Sequence, residues 1–293
     1  MEQLERLRAR LNNVEAVQPM LDALRAISSS ARLQAIHRKQ RAAEYRTELS
    51  QVLSWLRPHL PRRTWAPSIH SNGAKAQILL VIGSERGLCG AFNQAVAIAS
   101  EQALAKCAAA GDSVRLVALG TRARRALRAR GHEPMEWTRL PATSLPTYPL
   151  ADGLAGDWLD CWRRREVGAV VVVYNAYRGL AQYEPRAERI LPVTMPPDAD
   201  EEEAEAPWIE TDPFALYQRL RQLWLSATLY GILLESSASE HSARFRLLDG
   251  ASQNAERLTD ELRLYLQAAR QEAITTELQD LAAGAGLLGQ LST

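Results

Sequence analysis

The stretch DPFALYQRLRQLWLSATLYGILLESSASEHSARFRLLDGASQNAERLTDELRLYLQAARQEAITTELQDL, residues 212–281, decides the fold. Its apolar residues at 216, 220, 223, 227, 230 and 234 step by four and three, and Leu258, Leu262, Leu266, Ala269 and Ala273 resume the stripe. That spacing is the period of a helix, not the alternation of a strand. No proline follows Pro213, and Gly250 is an interior breaker before Gly284. At ~1.5 Å per residue, an unbroken helix of this span would run about 100 Å. A pattern this long reads as a coiled coil or a shaft. Its apolar side needs a partner.

The first part of the chain offers one. Leu4, Leu7, Leu11 and Val14 set a stripe that Val17, Leu21, Leu24 and Ser28 continue. Pro19 lies inside the pattern. An interior proline removes a helical hydrogen bond and clashes with the preceding turn, at about 3 kcal/mol, so a kink or a helix restart is expected there. His37 to Arg46 is polar and basic and reads mainly as a solvated face. LRPHLPRRTWAP, residues 56–67, ends the helix.

The period changes between residues 76 and 193. AQILLVIGS (76–84), SVRLVALG (113–120) and GAVVVVYNAYRG (168–179) read as buried strands. YEPRAERILPV (183–193) reads as a last strand, antiparallel. Helices are expected over 91–110, 121–131 and 148–165. This alternation implies a mostly parallel sheet with helices on both faces. PPDADEEEAEAP (196–207) reads as an acidic solvated loop. The fold class is therefore α/β: an antiparallel coiled coil of terminal helices with an inserted Rossmann-like domain. The expected division is 1–57 helix, 58–75 linker, 76–195 α/β domain, 196–211 acidic loop and 212–293 helix.

Composition narrows the function. Apolar residues make up 46 % of the 293, enough for a core, and the net charge of +1 gives no global field for nucleic acid. Arg outnumbers Lys by 32 to 3, which reads as a base-composition bias. Cys89, Cys107 and Cys161 form no CxxC, so a reducing compartment is expected. The N-terminus is charged and amphipathic from Glu2, unlike a signal peptide, and no apolar run approaches the ~20 residues of a membrane span.

No catalytic, cofactor or metal site is expected. SERGLCGAFN (84–93) follows the first strand, but it is neither GxGxxG nor GxxxxGK[ST]. A tight structural turn is favoured over a phosphate cradle. Cys89 reads as a small buried hydrophobe rather than a reactive thiol. The five histidines show no metal-ligand spacing, and no GxSxG occurs. Glu240 and Arg244 lie four apart in the favoured order, which by itself reads as a surface pair worth about 0.3–0.5 kcal/mol. Arg270, Gln271 and Thr275 fall outside the apolar stripe and by themselves read as helix surface.

SASEHSARF (237–245), ASQNAERLTDELRLYLQAARQEAITTEL (251–278) and GAGLL (284–288) resemble, in order, the C-terminal signature of the gamma subunit of F-type ATP synthases. RGLCG after the first strand resembles the same family, and VQPMLDALRAISSSARLQA (17–35) resembles its first helix less faithfully. The resemblance implies a central rotor shaft that does no chemistry. It implies alpha and beta catalytic subunits, an epsilon subunit and a membrane ring of c subunits as partners, at the cytoplasmic face of the cell membrane. It brings Arg270, Gln271 and Thr275 against a beta-subunit loop and Glu240 and Arg244 near the catalytic subunits. It places Leu24, where the family usually has Met, on the shaft. It places Tyr45, Ile209 and Glu210 at the foot. Pro19, Asp249 and Gly250 stand where the family commonly has Lys, Lys and Ala, which marks a divergent branch.

Two other classes stay open on the residues. An α/β nucleotide-binding regulator with a coiled-coil dimerisation arm would bind nucleotide as an isolated chain. A DNA- or membrane-surface binder would use Arg122 to Arg130, against the near-zero net charge and the lack of interleaved aromatics.

Overall fold

The computed structural model describes residues 2–61, 76–193 and 208–284. Most of the expected linker and acidic loop, and GAGLL beyond Gly284, lie outside the described residues. The chain divides into two compact units, residues 28–245 and residues 1–27 with 246–293. Helices α1 (Glu2–Leu56) and α5 (Pro213–Gly284) each contribute to both.

The larger unit holds a five-stranded sheet. Its strands are β1 (Ala76–Ile82), β2 (Ser113–Leu119), β3 (Glu136–Thr138), β4 (Ala169–Gly179) and β5 (Gln182–Leu191), in the order β3-β2-β1-β4-β5. β5 alone is antiparallel to its neighbour. Between the strands run α2 (Phe92–Ala109), α3 (Thr121–Arg128) and α4 (Tyr148–Arg163). β3, a three-residue edge strand, was not expected. It is too short to show a period, and Trp137 at its centre is held by stacking, with the Arg124 guanidinium 4.7 Å from the ring centroid.

The central strands bury both faces, as unbroken apolar runs require. Leu79, Val81, Leu116, Ala118 and Val173 meet α2 and α3 on one face. Ile78, Leu80, Ile82, Val170 and Val172 meet α4 on the other, together with Leu225, Leu229, Ile232 and Leu233 of α5. The terminal helix is thus one of the sheet's own covering helices. Gly83 permits a close approach after β1: a Cβ there would lie 2.5 Å from Asn93 Oδ1 and 2.7 Å from Ala123 Cβ.

α1 and α5 pair antiparallel in each unit. In the larger one, Lys39 Nζ meets Glu235 at 2.9 Å and the Trp224 indole donates to Ser50 Oγ at 2.9 Å. Ala35, Ala42, Leu234 and Ala238 are buried together, and Leu49, Leu53, Leu56, Tyr217 and Leu220 form a further cluster. In the smaller unit Leu11 packs with Leu262 and Leu266, flanked by Leu4, Leu7 and Val14. Asp212 caps α5, accepting from the Ala215 N–H at 2.9 Å, with Pro213 as its first residue.

The expected helix restart at Pro19 does not occur, because α1 is a single helix through it. Pro19 is exposed, so water can bond the carbonyl its missing N–H leaves open, while Leu11 and Val14 before it and the Ser252–Asp22 bond after it hold α1 to α5. Gly250 likewise leaves α5 unbroken.

Candidate functional site

The segment SEHSAR of α5 is where the helix grips the sheet domain. The Glu240–Arg244 pair is not on the surface, as spacing alone suggested: their side chains are 13 % and 9 % exposed. The Arg244 Nε donates to the Gly87 carbonyl at 3.2 Å and its Nη2 to the Arg86 carbonyl at 3.4 Å. The same Nη2 meets Glu240 Oε1 at 2.5 Å, and Nη1 donates to His241 Nδ1 at 3.3 Å. Since a guanidinium only donates, His241 accepts at Nδ1 and carries its proton on Nε2. Burial, aided by the Arg244 charge, pushes His241 down to about 4, so it is neutral at physiological pH. Burial pushes the Glu240 carboxyl up against the opposing pull of Arg244.

Two residues along, the Ser242 hydroxyl accepts from the Ala181 N–H at 2.6 Å and donates to the Gly179 carbonyl at 3.3 Å. One helical segment therefore clamps two loops: the turn after β1 and the β4–β5 hairpin. Sequence reading missed Ser242, because nothing in the sequence shows which loops its face meets.

The polar side chains of the turn after β1 bond to one another and to neighbouring loops. The Ser84 N–H donates to Asn93 Oδ1 at 2.9 Å, and Asn93 Nδ2 donates to Ser84 Oγ at 2.8 Å and to Cys89 Sγ at 3.3 Å. Glu85 accepts from the Thr121 and Leu140 N–H groups at 3.0 and 3.1 Å. Burial works to raise the Glu85 carboxyl, but the Thr121 and Leu140 hydrogen bonds hold it below the usual carboxylate range. In doubly wound sheets ligands bind beyond the carboxyl ends of the strands at the switch in strand order, here between β1 and β4. At that place Asn175 of β4 donates to the Phe92 carbonyl at 2.9 Å, and Arg244 fastens the loop. These bonds give the SERGLCGAFN stretch a structural role.

Cys89 is 3 % exposed, and burial pushes its thiol up. It is expected to resist thiol-specific reagents at neutral pH until the chain is denatured. Labelling in the native chain, followed by mass spectrometry, checks this. Rapid modification of Cys89 would show that the turn opens.

The other expected site residues lie apart. Arg270, Gln271 and Thr275 are exposed on α5, and Thr275 donates to the Gln271 carbonyl at 2.8 Å. The Arg270 guanidinium makes no ion pair among the described residues. Leu24 is half-buried on α1. Tyr45 is 39 % exposed and lines an open groove of about 510 Å³ with Arg41, Tyr148 and Tyr230. Ile209 packs on the cluster of Leu53, Leu56 and Tyr217, and Glu210 is exposed. Beside them Trp208, which sequence reading did not single out, is 98 % exposed. Among the described residues no group of three His, Cys, Asp or Glu is placed to hold a metal, and no helix is long and apolar enough to cross a membrane.

Solved structures share this fold. A chain of the Euglena gracilis mitochondrial ATP synthase, in a structure of OSCP, F1 and the c-ring, matches with a TM-score of 0.63 at 14 % identity, over 100 % of this chain and 97 % of its own. A chain of the Tetrahymena thermophila mitochondrial ATP synthase central stalk and c-ring matches at 0.56 and 18 %, over 80 % and 99 %. Paired terminal helices, one of them clamped to an α/β sheet, are thus a fold this chain shares with a chain of that central-stalk structure. The family model described as ATP synthase matches residues 3–288. The ATP synthase gamma chain of Geotalea daltonii is 30 % identical over 285 residues, 97 % of this chain and 98 % of its own. That of Chlorobium luteolum is 28 % identical over 289 residues, with the same coverage. The chain belongs to the ATP synthase gamma chain family.

Proposed function

We propose that this chain is the non-catalytic central shaft of a rotary ATP synthase. It carries rotation from a ring of membrane subunits to the catalytic beta subunits, as a peripheral component at the cytoplasmic face of the cell membrane. The observation that carries this reading is the clamp of SEHSAR onto the sheet domain within a gamma-chain fold. It joins the sheet domain to α5 through a buried charge and a serine, so load on one can pass to the other. A shaft can shift a catalytic equilibrium only through contacts that differ between states. Exposed, uncommitted polar groups suit that task, and Arg270 and Gln271 are such groups. Thr275 and Leu24 flank the same role, while Glu240 and Arg244 serve as the internal clamp.

In this reading Tyr45, Ile209 and Glu210 belong to the foot that meets the ring and the epsilon subunit. Photo-crosslinking amino acids at these positions in the assembled complex are expected to capture ring or epsilon subunits. Capture of alpha or beta subunits alone would move the foot elsewhere. The nucleotide-binding regulator finds no support in the turn after β1, where the Ser84, Glu85 and Asn93 side chains are already engaged.

A further inference from the structure

The apolar stripe that pairs α1 with α5 in the smaller unit does not by itself fix their register. Leu4, Leu7 and Leu11 repeat at steps of three and four, and Leu258, Leu262 and Leu266 at steps of four, each about one helical turn. Sliding one helix past the other by one turn, about 5.4 Å, would seat leucine on leucine again. Between Leu11 and Ile27 α1 buries no apolar side chain fully, and between Leu248 and Leu262 α5 buries only Ser252 and Thr259.

A polar network fills this stretch. Arg25 Nη1 meets Asp249 Oδ1 at 3.0 Å, and Arg25 Nη2 meets Asp22 Oδ1 at 3.3 Å. The Ser252 hydroxyl, fully buried, donates to Asp22 Oδ1 at 2.8 Å. Gln253 Nε2 holds the other Asp249 oxygen at 3.1 Å. Arg25 and Asp249 are each 35 % exposed, so the pair is only partly screened by water. The flanking contacts are looser. Arg263–Glu15, at 2.8 Å, lies largely in solvent, and Gln18–Glu256 is 3.5 Å long.

We propose that Asp22, Arg25, Asp249 and Ser252 are positioning residues, a polar lock that selects one register of α1 against α5 in the smaller unit. A leucine contact tolerates a one-turn slide, whereas directional charge-assisted bonds do not. A slide would carry Arg25 away from Asp249 and leave the Asp22–Ser252 bond unmade beside a buried hydroxyl. Polar groups set into apolar helix seams fix register at some cost in stability.

The test is distance measurement by double electron–electron resonance in the assembled complex. Spin labels are carried on bioorthogonal amino acids at the exposed positions Asn13 and Leu264. A single narrow distance is expected for the parent. Arg25→Asp or Asp249→Arg alone is expected to broaden the distribution or shift it by about one turn, and the double reversal to restore it. Loss of assembly in the single variants with recovery in the double would also support the lock. An unchanged distribution in the single variants would overturn it, as would a broad one in an assembled double variant. The register readout does not depend on the shaft reading. Ions moved per ATP, measured on the same samples, do rest on it, and loss of coupling with an intact register would count against the shaft alone.

Discussion

Arg244→Ala is expected to destabilise the chain by about 3–5 kcal/mol, the usual result of removing one partner of a buried ion pair. The loss has identifiable parts. Glu240 keeps its buried carboxyl without its guanidinium, and the Arg86 and Gly87 carbonyls lose their donor. Arg244→Lys should recover only part of this. One ammonium cannot reproduce the planar fork that serves Glu240, His241 and two carbonyls at once. Urea denaturation of the purified chain, followed by circular dichroism, measures the effect. A change below about 0.5 kcal/mol, the range of an ordinary surface substitution, would show that the clamp is dispensable.

The double variant Arg270→Ala/Gln271→Ala is expected to leave folding unchanged and to lower coupled ATP synthesis roughly tenfold or more. Both side chains are exposed on α5, and neither belongs to an apolar cluster, so truncation creates no cavity. A charge-assisted hydrogen bond made to one beta subunit and absent from the others would be worth about 1.5–3 kcal/mol. Each 1.4 kcal/mol corresponds to about a factor of ten. Arg270→Lys is expected to restore synthesis partly. ATP synthesis in ion-energised vesicles, with subunit stoichiometry checked, gives the answer. Normal synthesis in a normally assembled double variant would move the contact elsewhere along α5.

Much of this molecule could be read from its residues. AQILLVI and AVVVVY bury both strand faces, so continuous apolar runs gave the sheet away, and Asp212–Pro213 marked the start of α5. The misjudged elements share one cause, which is that tertiary contact overrides local rules. Pro19 costs a helical hydrogen bond wherever it stands, yet pairing on both sides of it carries α1 through. β3 exists because Val117, Ala118 and Leu119 of β2 offer a ladder edge to it, and three residues carry no period of their own. Glu240 and Arg244 were visible as a pair, but a spacing of four looks the same on a surface and in an interface. What decides between them is the Gly87 carbonyl, 157 residues away. The Asp22–Ser252 contact joins residues 230 apart and left no trace in the local pattern.

In the proposed function this chain turns inside its complex. The direct measurement fixes the alpha and beta subunits to a surface and attaches an optical probe to an exposed position of the sheet domain such as Met135. Single complexes are then observed during ATP hydrolysis. Sustained rotation of the probe in one direction is the predicted result. A probe that stays still while the same complexes hydrolyse ATP would contradict it.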